Sequence, residues 1–173
     1  MGEGNGMKEL RQIRDAVIHA LREGGLAAEA AFPSKWTAER ETPLATVAVG
    51  AAEGKDIGFA GYLGETRDES GRVREVYGKR LEGVITVNVW AGGAAECEEG
   101  GETAAAVLLG GLPRGIRPGE LSWEALSWDR ETGLFLRRGK LRCEALFLAE
   151  GDGETEAFLD FILKGVVRSE QSA

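Results

Sequence analysis

An α+β fold is predicted for this 173-residue chain, a mainly antiparallel sheet with two helices packed on one face. Three observations predict it. Two segments, one near the start and one between Glu96 and Leu109, carry helix signals. The other apolar segments alternate with period two and succeed one another through turn residues. Helices standing apart from consecutive strands in this way gather on one side of an antiparallel sheet.

The opening "MGEGNG" is Gly-rich, so residues 1–7 are expected to form a flexible start. Its G-x-G spacing is no phosphate loop, because no strand precedes it. From Lys8 to Glu23, Leu10, Ile13, Val17 and Leu21 recur at helical spacing, and Gly24-Gly25 supplies a stop. His19 lies on this helix beside the apolar stripe, with no Cys, Asp or Ser at a spacing that would make a triad. It reads as a surface or packing residue. The stretch "GLAAEAAFPSKWTAERETP" shows no clear period. Leu44, Val47 and Val49 then predict a short strand ended by Gly50.

The segment after it is rich in glycine and charge, with Asp68-Glu69-Ser70-Gly71 as a turn, and reads as a protruding loop or hairpin. It feeds the strongest strand signal in the chain. Leu81, Gly83, Ile85, Val87 and Val89 share one parity, while Glu82, Val84, Thr86, Asn88 and Trp90 share the other. At about 3.3 Å per residue, that strand alone runs roughly 30 Å. "GGAAECEEGGETAAAVLLGGL" turns helical, with early glutamates suited to a helix N-terminus, an apolar body from Ala104 to Leu109, and Gly110-Gly111 as the stop. Gly100-Gly101 blurs where this helix begins. "ELSWEALSWD" and "GLFLRRGKLRCEALFLA" flank "DRETG" and predict a hairpin closed by Gly133. "AFLDFILKGVV" reads as a final edge strand or a short helix. One domain over residues 8–167, with a flexible tail at 168–173, is the resulting organisation.

Composition narrows the function. A hydrophobic content of 43% with 29% charged residues is that of a globular protein, and no apolar run approaches the length of a membrane span. The first residues carry no signal-peptide core, so export by that route is not expected. Cys97 and Cys143 stand far apart, outside any metal-ligand spacing, and read as reduced thiols. A net charge of −8 argues against a protein that wraps DNA by neutralising its phosphates. Walker, G-x-S-x-G and H-E-x-x-H patterns do not occur. The glutamates at 96–102 and the acids at 150–160 read as solvated faces or helix starts, not as an acid–base pair. "RRGK", Arg137 to Lys140, reads as a solvated strand face or a partner contact. Trp123 and Trp128 fall on opposite parities, so one is expected in the core and the other exposed at an interface. No catalytic residue, cofactor or metal set is expected.

Taken in order, an amphipathic helix, "PLATVAVG", "YLGE", "EVYGKRLEGVITVNVWA", the helix "ETAAAVLLGGL", a hairpin and "FLDFILKG" resemble a tail-completion or tail-terminator protein of long-tailed bacteriophages and prophages. The resemblance spans Met7 to Val167 and rests on element order and segment character. It implies a hexameric ring of like subunits that caps the tail tube and joins it to the head. The partners implied are the tail tube and head-completion proteins, with DNA passing through the lumen without specific binding. The implied location is the virion, and the host cytoplasm during assembly. Another neck or minor tail protein, or a small-molecule-binding α+β module, is the alternative; a concave apolar pocket would mark the latter. The segment from Gly58 to Tyr77 is too polar for core and too long for a simple turn. Tyr62, Arg67, Arg72, Arg74 and Tyr77 are therefore the candidate contacts to a neighbouring subunit or the tube.

Overall fold

The computed structural model describes residues 3–33, 41–56 and 62–150. Helix α1 spans Glu3–Glu23. It starts ahead of the Lys8 that the apolar spacing marks, so part of the opening expected to be flexible is helical. Lengthening an existing helix adds one hydrogen bond per residue fixed, and a helix can run past its apolar stripe on that account. At the other end the amides of Gly24 and Leu26 bond to the carbonyls of Ala20 and Leu21, each at 3.0 Å. Gly25 takes a φ of 91°, a left-handed turn open to glycine at no steric cost, and Leu26 returns buried to the core.

The strands are β1 (Ala27–Glu29), β2 (Leu44–Asp56), β3 (Tyr62–Arg67) and β4 (Val73–Ala91). Helix α2 (Ala94–Gly110) follows, then β5 (Ile116–Trp123), β6 (Ser127–Asp129) and β7 (Leu134–Glu150). β1 was not foreseen, and among the described residues it is the one parallel pairing, against β2. β2 also passes straight through Gly50, where a stop was expected. A bulge between Val49 and Ala52 carries it on, and Gly50 brings the chain close to the Val84 carbonyl instead of ending the strand. The final run "AFLDFILKGVV" lies outside the described residues.

Among the described residues the sheet is seven-stranded, in the order β1-β2-β4-β7-β5. Val76 and Tyr77 pair with both β7 and β3, so β3 must lie on the β2 side of β4. β2 and β3 thus follow one another along one edge of β4, while β5 and β6 do the same along β7. The fold is α+β, as the sequence predicts. The expected parity holds as well: Leu81, Ile85, Val87 and Val89 are buried beside Ala45 and Val47 of β2 and Leu141, Cys143, Ala145 and Phe147 of β7. Ile13, Val17 and Leu21 of α1 and Cys97, Ala104 and Leu108 of α2 close the same cluster, with Leu10 packed against it. Both helices therefore lie on one face. On the other face the row Leu44–Trp90–Leu136 makes a smaller apolar patch at one end. There the Trp90 indole donates to Thr46 Oγ1 at 3.0 Å, and Phe32 lies 4.6 Å from the Trp90 ring.

Gly100 and Gly101 sit buried inside α2, not at its start. A Cβ at Gly100 would stand 2.8 Å from Pro43 Cβ and from Val89 Cγ1, so this glycine lets the helix backbone rest on the sheet. At Gly101 the nearest atom, Arg137 Cδ, would be at an ordinary 3.5 Å.

Two stability experiments check this layering. Val87→Asp places an unpaired charge in the cluster and is expected to lower the unfolding free energy by about 3–5 kcal/mol; an unchanged melting temperature in a soluble variant would refute the strand assignment. Alanine has roughly 1 kcal/mol better helix propensity than glycine. Gly101→Ala should therefore be neutral or stabilising, whereas in Gly100→Ala the overpacking cost of about 1–3 kcal/mol outweighs that gain. Urea unfolding of the two variants side by side reads the difference, and equal behaviour would remove the close-approach role of Gly100.

Candidate functional site

The five contact candidates gather on one β-ribbon. Tyr62 pairs with Tyr77, Thr66 with Arg74 and Arg67 with Val73, so β3 and the first residues of β4 form a hairpin. Among the described residues Val73–Glu75 are exposed and pair only within the ribbon, with β3. Its turn is built on Asp68. The Asp68 carboxylate accepts from the Ser70 hydroxyl at 2.6 Å, the Ser70 amide at 3.0 Å and the Arg72 amide at 2.9 Å. Gly71, at φ 80°, donates its amide to the Asp68 carbonyl. The Ser70 hydroxyl, then the Arg72 amide, hold the Asp68 carboxyl below its ordinary pKa.

These contacts sort the candidates. Arg74 Nε lies 3.5 Å from Asp68 Oδ2, so Arg74 partly serves the turn. The Tyr77 hydroxyl donates to Glu75 Oε2, and the ring is half-buried. Arg67 and Arg72 are exposed and make no ion pair among the described residues. Tyr62 enters the ribbon through its backbone pairing with Tyr77. Phe59, from the same segment, lies outside the described residues.

The sheet face turned away from the helices is the second surface. Alternation along β7 puts Arg138, Lys140 and Arg142 on it, all exposed, whereas Arg137 turns toward the helix side, 5.9 Å from the centre of the Trp123 ring. An open depression of about 610 Å³ lies across β2, β4, β7 and β5. Glu53, Glu82, Glu144 and Arg117 stand side by side across it, one from each strand. Such rows depend on register between strands distant in sequence, and no local pattern reveals them. The two tryptophans divide as expected: Trp123 packs against the core, and Trp128, 53% exposed, meets Phe135 edge-on.

The polar groups of the interior give little chemistry. His19 is 74% exposed and sits 3.4 Å from Glu23. Cys97 and Cys143 are buried free thiols. Burial pushes Cys143 up to about 11 and also raises Cys97, whose Sγ–H donates to the Val89 carbonyl, so neither is a ready thiolate. No cluster of metal-ligating side chains occurs among the described residues.

Glu9 was missed by the sequence reading. It stands four residues before Ile13, hence on the buried stripe of α1, and is 1% exposed. Its Oε2 has no hydrogen-bond partner among the described residues. Burial raises its pKa, and the charge of Lys79 opposes that rise.

No family model matches the chain, and no curated protein matches it. Among solved structures it is similar to a chain of one described as "Virion of native gene transfer agent (GTA) particle". That likeness has 22% sequence identity, covers 79% of this chain and 87% of that one, and has a TM-score of 0.28. At that score the likeness assigns no role, and the functional reading rests on the surfaces described above.

The Glu9 environment predicts a pH effect whose sign follows from linkage. A carboxyl with a raised folded-state pKa binds more protons folded than unfolded, so its contribution to stability falls as pH rises from the ordinary glutamate value through the raised one. Glu9→Gln should remove this slope. Between about pH 4 and pH 7 the variant should gain stability relative to the parent protein in urea unfolding, and parallel pH profiles would show that Glu9 is not shifted.

Proposed function

We propose that this chain is a structural virion protein of a long-tailed phage or prophage. In this reading, copies of it form a ring, hexameric by the family resemblance, at the head-proximal end of the tail. The ring terminates the tail tube and joins it to the head. The observation that carries the reading is the extended β4–β7 ladder, covered by helices on one face and largely open and charged on the other, with the exposed β3–β4 hairpin at one end. Such a subunit presents different surfaces in opposite directions. Contacts between unlike surfaces are heterologous, and they close into rings when the rotation between copies allows it. Its partners would be other copies, the tube and the head-completion proteins, and an acidic subunit of net charge −8 suits a lumen through which DNA passes without being held.

The small-molecule-binding alternative has one feature in its favour, the depression on the open face. It is an open depression in which Glu53, Glu82, Glu120, Glu144, Arg117 and Arg142 stand beside Ala51, Ala52, Val84 and Pro118, and it lacks the enclosing walls that bury most of a small organic ligand. The assembly reading is therefore preferred.

The hairpin is the direct test. Replacing Arg67–Arg72 by a short turn should leave the domain folded, because the exposed tip adds nothing to the core. The trimmed protein is expected to lose ring formation or the capacity to complete tails, read by light scattering, negative-stain imaging and particle infectivity. Rings of normal size together with infectious particles would show the arm to be dispensable.

A further inference from the structure

We propose that a basic stripe on the open sheet face of one copy seats on the acidic outer face of α2 of the next copy, and that this contact joins the subunits of the ring. The inference rests on the ring reading above and specifies its interface.

Arg138, Lys140 and Arg142 alternate along β7 on the face away from the helices, and all are exposed. Opposite them on β4 stand Asn88, Thr86 and Val84, which carry no charge. Arg138 lies 3.8 Å from Glu124 and its charge also reaches Asp129, whereas Lys140 and Arg142 make no ion pair among the described residues. Three cations thus stand in a row on an acidic chain, although Arg142 shares the depression with Glu82, Glu120 and Glu144. Helix α2 has the opposite character. It carries Glu96, Glu98, Glu99 and Glu102 and no Lys or Arg. Glu96 accepts from the Thr42 hydroxyl at 2.7 Å, whereas Glu98, Glu99 and Glu102 are exposed and make no ion pair among the described residues. They fall with Ala95 and Ala106 on the side opposite Cys97, Gly100, Ala104 and Leu108, which rest on the sheet. Small alanines on both sides leave the carboxylates accessible to a partner.

The two surfaces lie on opposite sides of the domain, so one copy cannot satisfy its own charges. A second copy can. The match is front to back, the heterologous geometry a ring requires, and charge complementarity of this kind sets orientation and register as well as encounter rate.

Charge exchange tests the contact. The first variant is R138E/K140E/R142E, the second E98K/E99K/E102K, and the third carries all six substitutions. Mass is read by light scattering, with thermal melts to establish that each variant is folded. The parent protein is expected to assemble, and each triple variant to fall to the 18.5 kDa of a single chain. The six-fold variant, and an equimolar mixture of the two triple variants, should recover assembly, because opposite charges face one another again. If a triple variant fails to fold, the neutral pair K140Q/R142Q reads the same contact as assembly lost at lower salt than in the parent protein. A parent protein that is monomeric overturns both the ring and the contact. A parent oligomer whose mass survives either reversal overturns the contact and leaves the ring standing. Loss of binding to a short DNA duplex in the first variant, with assembly unchanged, would assign the stripe to nucleic acid and overturn the proposal as well.

Discussion

The unbroken antiparallel register between β4 and β7, from Val76↔Glu150 to Ala91↔Phe135, is the constraint on which the rest of the molecule depends. Side chains alternate across a sheet with a period of two, so a slip of one residue would carry Ile85, Val87 and Val89 to the open face and bring Glu82 and Thr86 into the core. Each fully buried side chain of that set contributes about 1.5–3 kcal/mol, which makes the slipped register far less stable. With the ladder set, β2 and β5 add at its two edges, and both helices find a single apolar face to cover.

Closeness of α2 to that face depends on Gly100, where backbone approach prevails over helix propensity. α1 shows the reverse balance at Glu9, where a helix seated by Ile13, Val17 and Leu21 carries a carboxylate into the interior with it. The burial of neighbouring apolar groups exceeds the desolvation of one acid, and Lys79 lessens that cost. Both positions tie the helical layer to the sheet, and the exposed surfaces that remain are the opposite sheet face, the hairpin and the outer side of α2.

Function in this reading is a matter of surfaces, not of a reacting centre. The hairpin presents Arg67 and Arg72 on a turn made rigid by Asp68, while Arg74 and Tyr77 help to hold the ribbon itself. The open face presents cations and α2 presents anions, in directions that two copies can satisfy and one cannot. Exposed charges of this kind add little to the stability of a monomer, because water screens them.

Local pattern in the sequence determined the fold class, the parity of Leu81–Val89, the two helices, the turns at Asp68–Gly71 and Gly133, and the separation of Trp123 from Trp128. All of these follow from spacing within one segment, where periods of 3.6 and 2 and glycine's freedom at positive φ act on near neighbours. The five contact candidates were legible as one segment for the same reason, but their division into free and engaged arginines was not, since it turns on side-chain contacts within the folded turn. Tertiary structure alone decided that β2 passes Gly50, that β1 pairs with it, that Gly100 marks a contact and not a helix start, and that Glu9 is buried near Lys79. It also decided which charges stand abreast across β2, β4, β7 and β5. Those outcomes depend on pairing between residues far apart in the chain, and a sequence read one segment at a time carries no register between its strands.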